Sequence, residues 1–277
     1  MPFFKNKDGL NIYYEDINPD PKNFPIIFLH GQASSAIFFK NQIAFLKKKK
    51  FRCIPIDPIG LGRSVKPVSV HIDDHLRDTY LRDIEDLIKT LKVNENFGIL
   101  AHSLLGGMIA QLLTKKFFDK TKFLILLNTG DLMIDNDIRN SFWNILPYHI
   151  RMNFLDIVEN SFEDVLDRTI PFIKLALREA SEDQQYSDQE LDQIIEREIF
   201  DMVSECRDYD PSDILCPTLI IGGNLDNFAP VSLSKNLAEK IPNSELILIE
   251  FAGHLAPSQI YKEINSYINN FLKDITL

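Results

Sequence analysis

Phe97-Gly-Ile-Leu-Ala-His-Ser-Leu-Leu-Gly-Gly-Met-Ile-Ala-Gln111 is the stretch that decides how the chain folds. It opens as a short apolar run, the pattern of a strand buried on both faces. It closes as a helix-like run through Met108, Ile109, Leu112 and Leu113. Ser103 sits at the seam, after small Ala101 and before the pair Gly106-Gly107. A serine on a sharp strand-to-helix turn has its Oγ lifted clear of the sheet. The first N–H groups of the helix then face whatever binds there. A serine that merely caps an ordinary helix is the plainer alternative, and the flanking chain has to decide between them.

Working outward on the N-terminal side, an Asn6-Lys-Asp-Gly9 turn signal before Leu10 to Glu15 predicts a hairpin. Pro25 to His30 and Arg52 to Asp57 read as buried strands, with a helix over Ile37 to Leu46 between them. Ile72, Leu76, Tyr80, Ile84, Leu87, Ile88 and Leu91 follow helical spacing and predict a long amphipathic helix. On the C-terminal side Phe123 to Asn128 is another buried strand. Alternating strands and helices predict a right-handed, mostly parallel α/β sheet with helices on both faces.

That rhythm stops at Asp131. Up to Ser212 the chain shows helical stripes, over Phe142–Ile150, Phe154–Ile170, Phe172–Ala180 and Leu191–Val203, and no convincing strand. The rhythm resumes with a strand at Pro217–Gly222, a helix over Val231–Lys240 and a strand at Glu245–Glu250. A last helix carries Ile260, Ile264, Tyr267, Ile268, Phe271 and Leu272, with Ser258 as its expected N-cap. The expected division is a core of residues 1–130 and 213–277, interrupted by a helical insertion at 131–212.

Charge follows the same division. The 277-residue chain carries −10 overall; residues 131–212 hold 20 acidic against 7 basic side chains, which leaves the remainder at +3. With no basic stripe, nucleic acid is not an expected partner. The Lys47–Lys50 run falls where a helix should end, and cations there suit the helix dipole. Cys53, Cys206 and Cys216 are too few and scattered for a disulfide framework or a zinc cluster, so a reduced, cytoplasmic setting is expected. Neither a signal-peptide core nor a membrane span is visible. His71 and His75 stand one helical turn apart but lack an evident third ligand, so no metal is expected.

In a parallel sheet, ligands bind beyond the carboxyl ends of the strands. The informative residues are therefore His30-Gly-Gln32, Ser103, Asp131, Asp226 and His254. A serine, an acid and a histidine on three strand ends can build a nucleophile, an orienting carboxylate and a base. Serine is too weak an acid to attack unaided. Imidazole, with a pKa near ~6.5, can take and return its proton at neutral pH. Asp226 fits the acid best, and Asp131, also just past a strand end, is the competing candidate.

With these residues in hand, the chain resembles the α/β-hydrolase superfamily, in its branch of cap-bearing esterases and carbon–carbon bond hydrolases. The resemblance rests on Leu29-His-Gly31, Asp57-x-x-Gly60-x-Gly62-x-Ser64, Ala101-His-Ser103, Gly223-x-x-Asp226 and Gly253-His-Leu255, in that order. It is weakest over 131–212, where that family inserts its variable lid. It implies an α/β-hydrolase fold, with a mostly parallel eight-stranded sheet and an inserted helical cap. It also implies Ser103 as nucleophile, His254 as base, Asp226 as acid and an oxyanion hole from the N–H groups of Gln32 and Leu104. No cofactor follows from it.

Two positions depart from the family pattern. Ala101 stands where the family has glycine, a small-for-small change. The elbow, Ser-x-Gly-Gly in the family, here reads Ser103-Leu104-Leu105-Gly106-Gly107, one residue longer. If the glycines held the register, Leu104 would fall at the nucleophile position and the site would be dead. If Ser103 holds it, the helix must absorb a residue, and a π-bulge is one known way. The ungapped match from Phe97 to Ser103 favours the second.

The expected activity is hydrolysis of a small, largely apolar carboxylic ester through an acyl-enzyme. Thioesters, lactones and carbon–carbon bonds are alternatives on the same triad. Dehalogenase and epoxide hydrolase chemistry would need an aspartate in place of Ser103. A non-catalytic ligand binder, suggested by the extra leucine, and a protein docking a basic partner through its acidic lid are the competing classes. Acidic charge disfavours an anionic substrate unless Arg139, Arg151 or Arg178 meets it locally. The oligomeric state is left open.

Overall fold

The computed structural model describes residues 2–31, 34–64, 76–93, 95–130, 187 and 210–276. The N-terminal turn forms as expected: β1 (Phe3–Lys5) and β2 (Asn11–Tyr14) pair antiparallel. The turn between them closes on Asn6, whose Oδ1 accepts the N–H groups of Asp8 and Leu10. The strands that follow are β3 (Pro25–Leu29), β4 (Arg52–Asp57), β5 (Phe97–His102), β6 (Thr121–Leu127), β7 (Thr218–Gly223) and β8 (Ser244–Ile249). They lie side by side in the order β1-β2-β4-β3-β5-β6-β7-β8. β2 meets β4 antiparallel, and every pairing from β4 to β8 is parallel.

The apolar runs exist because the central strands are covered on both faces. Ile27 and Leu29 of β3, Ile99 and Ala101 of β5 and Leu124 and Leu126 of β6 enter one core. Tyr80, Ile84 and Leu87 of α2 (Leu76–Thr90) close that face, with Met108 and Leu113 of α3 (Ser103–Lys116). The alternate residues, Ile26, Phe28, Leu100, Phe123 and Ile125, face the other way. They meet Ile43 and Leu46 of α1 (Lys40–Lys48) and Ile264, Ile268 and Phe271 of α6 (Tyr261–Lys273). At roughly 1.5–3 kcal/mol for each large apolar side chain taken out of water, this two-sided burial is the main term holding the sheet. Gly98 has a packing reason of its own: a Cβ there would lie 2.1 Å from the Phe123 ring.

The sheet therefore matches the expected eight-stranded, mostly parallel α/β-hydrolase architecture, and differences are local. A 3-10 turn at Ala36–Phe39 precedes α1. Lys47 and Lys48 do occupy the last turn of α1. Ser258 does not cap the last helix. A short α5 (Ala256–Gln259) forms first, with Pro257 in its opening turn, and α6 starts after Ile260. Proline is favoured there because its missing N–H would be unsatisfied anyway. Ser258 Oγ donates to the Leu255 carbonyl instead. The helix between β7 and β8 is α4 (Val231–Lys240), as expected. The expected helical insertion, with Asp131 and Arg139, Arg151 and Arg178, falls outside the described residues apart from Ser187 and its last three positions, and so do His71 and His75.

Candidate active site

β5 and α3 meet without an intervening loop: His102 ends the strand and Ser103 begins the helix. Such an abrupt change needs an unusual backbone, and Ser103 takes φ +66°, in the left-handed region that non-glycine residues rarely enter. A Cβ on Gly31 would lie 2.4 Å from Ser103 Cβ, so only glycine lets the β3 loop pass beneath the serine.

The extra leucine is absorbed inside α3. The helix is α from Ser103 to Lys116, without a π turn. Leu105 is buried in the core against that helix's neighbours. Gly106 and Gly107 make the close approaches: a Cβ on Gly106 would lie 2.5 Å from the Leu29 carbonyl oxygen, and one on Gly107 would lie 2.0 Å from Thr129 Oγ1. Ser103 thus remains at the turn while the glycines keep their packing role.

The loops after β7 and β8 bring Asp226 and His254 to the same edge. His254 Nε2 lies 2.9 Å from Ser103 Oγ, and its Nδ1 lies 2.8 Å from Asp226 Oδ2. Asp226 Oδ2 also accepts from Asn128 Nδ2 at 2.9 Å, and Oδ1 accepts from the N–H groups of Phe228 and Ala229. A carboxylate that only accepts holds the imidazole with its proton on Nδ1, which leaves Nε2 free to accept from the serine hydroxyl. Leu104, the other predicted oxyanion donor present here, is the second residue of α3, where N–H groups have no partner inside the helix. Gln32 lies outside the described residues.

Two further contributions were not evident in the sequence. His102 is stacked on Phe38 at 4.2 Å, and its Nε2–H donates to the His254 carbonyl at 2.9 Å. Burial, with His254 beside it, holds its pKa well below the ordinary imidazole range. A neutral ring can therefore brace the base loop without adding charge. The Asp57 motif is a scaffold for the loop after β3. Asp57 Oδ1 accepts from Ala36 N and Oδ2 from Arg63 N, while Ser64 Oγ donates to the Asp57 carbonyl and accepts from Tyr13 N. Gly62, at φ +50°, is required there, since a Cβ would lie 2.1 Å from Asp57 Oδ2. An aspartate followed by two glycines and a serine in one loop was the signal, but the partners Ala36 and Tyr13 lie 21 and 51 residues from the groups they bond.

Among the described residues no group of three His, Cys, Asp or Glu side chains is placed to hold a metal, and no helix is long and apolar enough to cross a membrane.

The chain is similar to several known proteins. A Bacillus subtilis AB hydrolase superfamily protein, YisY, is 28% identical over 277 residues, covering 97% of this chain and 98% of its own length. An esterase from Exiguobacterium antarcticum superposes with a TM-score of 0.70 at 23% identity, covering 98% of this chain and 99% of its own. A meta-cleavage product hydrolase from Pseudomonas fluorescens does so with a TM-score of 0.70 at 22% identity, covering 98% and 97%. The alpha/beta hydrolase fold family matches residues 25–259, and the chain belongs to it.

Proposed function

We propose that this protein is a serine hydrolase that cleaves a small, largely apolar carboxylic ester through an acyl-enzyme. The observation that carries the reading is the unbroken line from Ser103 Oγ through the His254 ring to the Asp226 carboxylate, at 2.9 and 2.8 Å. His254 Nε2 takes the Ser103 proton as Oγ attacks the ester carbonyl. The carbonyl oxygen, now negative, is met by the N–H of Leu104 and, in this reading, of Gln32. Each such donor is worth about 2.7–4 kcal/mol of transition-state stabilisation. The tetrahedral adduct collapses, the protonated imidazole gives its proton to the departing alcohol, and Ser103 is left acylated. Water, deprotonated by His254, attacks the acyl carbon and restores the serine.

Asp226 keeps the imidazole tautomer and balances the imidazolium. Phe228, its ring centred 5.2 Å from that of His254, is an apolar neighbour of the base and supports an apolar acyl or alcohol group. Residues 131–212 are placed in this reading as a helical cap over the 1–130 and 213–277 core, where they set the substrate range. The same line of residues would serve a lactone, a thioester or a carbon–carbon bond. The free thiols of Cys53 and Cys216 suit a cytoplasmic setting.

The test is a series of p-nitrophenyl esters of graded chain length, run on the unmutated protein and on Ser103→Ala. Loss of the nucleophile should lower kcat by about 10⁶-fold. Equal rates in the two proteins would remove Ser103 from the mechanism, and a chain-length optimum would size the pocket.

A further inference from the structure

Asn128 follows β6 directly, and the triad does not use it. It has three unusual features together. Its φ is +49°, left-handed in a residue other than glycine. It is 1% exposed at the heart of the site. Its amide nitrogen is within hydrogen-bond distance of two groups on different loops, Asp226 Oδ2 at 2.9 Å and the Gly253 carbonyl at 3.2 Å. The orientation of the amide is forced, because turning it over would aim Oδ1 at two acceptors. Its own N–H donates to the Ile221 carbonyl of β7 at 2.7 Å, which fixes the backbone from which the side chain reaches.

We propose that Asn128 is a positioning residue for the Ser103–His254–Asp226 line: one amide ties the acid to the loop carrying the base, without adding charge. The inference rests on the serine-hydrolase reading and deepens it. The tie is needed because Asp226 and His254 sit on separate loops after β7 and β8, so their 2.8 Å contact depends on both loops holding still. His102 braces the next carbonyl, that of His254, so successive carbonyls of the base loop receive neutral side-chain donors. Neutrality matters at the β6 end. A carboxylate at position 128 would add negative charge beside Asp226, and the pair would draw a proton onto the His254 ring. The titratable groups around the amide are Asp226 and His254, with the His102 ring tilted against that of His254 at 4.7 Å. Asparagine is among the few side chains that tolerate left-handed backbone while carrying two N–H donors.

The experiment measures the rate of fluorophosphonate labelling of Ser103 across pH, in the unmutated chain, Asn128→Gly and Asn128→Asp, with Ser103→Ala as the unlabelled control. Both replacements suit the positive φ, so neither strains the turn. Thermal unfolding confirms that each variant is folded. Asn128→Gly should label roughly ten- to a hundredfold more slowly, as expected for losing a hydrogen bond to a charged group. Asn128→Asp should move the midpoint of the labelling profile upward by about one pH unit, because the added negative charge favours the imidazolium. Labelling of both variants at the original rate and midpoint would overturn the inference, and so would a uniform slowing of Asn128→Asp with an unmoved midpoint. Failure of the hydrolase reading is a different result: no adduct at Ser103 in the unmutated chain. The positioning role is then decided by the low-field NMR signal of the His254 Nδ1 proton, which Asn128→Gly should broaden away. An unchanged signal would overturn it.

Discussion

Asp226 and Asp83 are both sealed carboxylates, 4% and 0% exposed, in two regions that treat them differently. Asp226, at the carboxyl edge of the sheet, accepts hydrogen bonds from His254, Asn128, Phe228 and Ala229. Asp83, on α2 beneath the N-terminal hairpin, accepts from Asn6 Nδ2 at 2.7 Å, while its Oδ2 is buried with no partner among the described residues. Burial pushes the Asp83 pKa up to about 7, against the weaker opposing pull of the Asn6 hydrogen bond. For Asp83, depth with a single donor favours the neutral form. At the site the fold aims four donors at one carboxylate. At the hairpin it provides one, and the charge is a cost.

Removing charge from each acid should therefore have opposite results. Asp226→Asn should lower kcat for p-nitrophenyl acetate by about 10⁴-fold with folding intact, because an amide in that place favours the wrong imidazole tautomer. Asp83→Asn should leave kcat unchanged and alter stability instead. Because its folded pKa is raised, the proton on Asp83 contributes stability that is fully present below about 3.8 and lost as pH climbs through about 7. Denaturant unfolding of the unmutated protein should show that loss, roughly 4 kcal/mol at most. Asp83→Asn should flatten the profile and be the more stable protein at pH 8. An identical pH profile in the two proteins would break the comparison.

A third variant tests the elbow. Leu105→Ala should cost about 2–5 kcal/mol of stability, the usual range for emptying a buried leucine site, while fluorophosphonate still labels Ser103. Loss of labelling in the folded variant would mean that the extra residue positions the serine as well as filling the core.

Much of the sheet was legible because its central strands are buried on both faces, which leaves unbroken apolar runs such as Ile26 to Leu29 and Phe123 to Leu127. The ends of elements were less legible. Ser258 looked like an N-cap because a serine before a periodic stripe usually is one; Pro257 instead starts a separate short helix. At the site, Ser103, Asp226 and His254 could be named from their places just past strand ends, and His254 lies within hydrogen-bond distance of each of the other two. Asn128 and His102 could not. Their partners are 98 to 152 residues away, and the interactions are specified by loop geometry rather than by local pattern.

By itself the sequence determined the parallel sheet, the serine at a strand-to-helix seam and the order of the strand-end motifs, because periodicity and turn chemistry are local. It also exposed one residue too many after that serine. Only the tertiary structure decided how Leu105 is housed. The choice depended on which small residues meet the end of β3 and Thr129, and those close approaches fall to Gly106 and Gly107. Ser103 is left at φ +66°, facing His254.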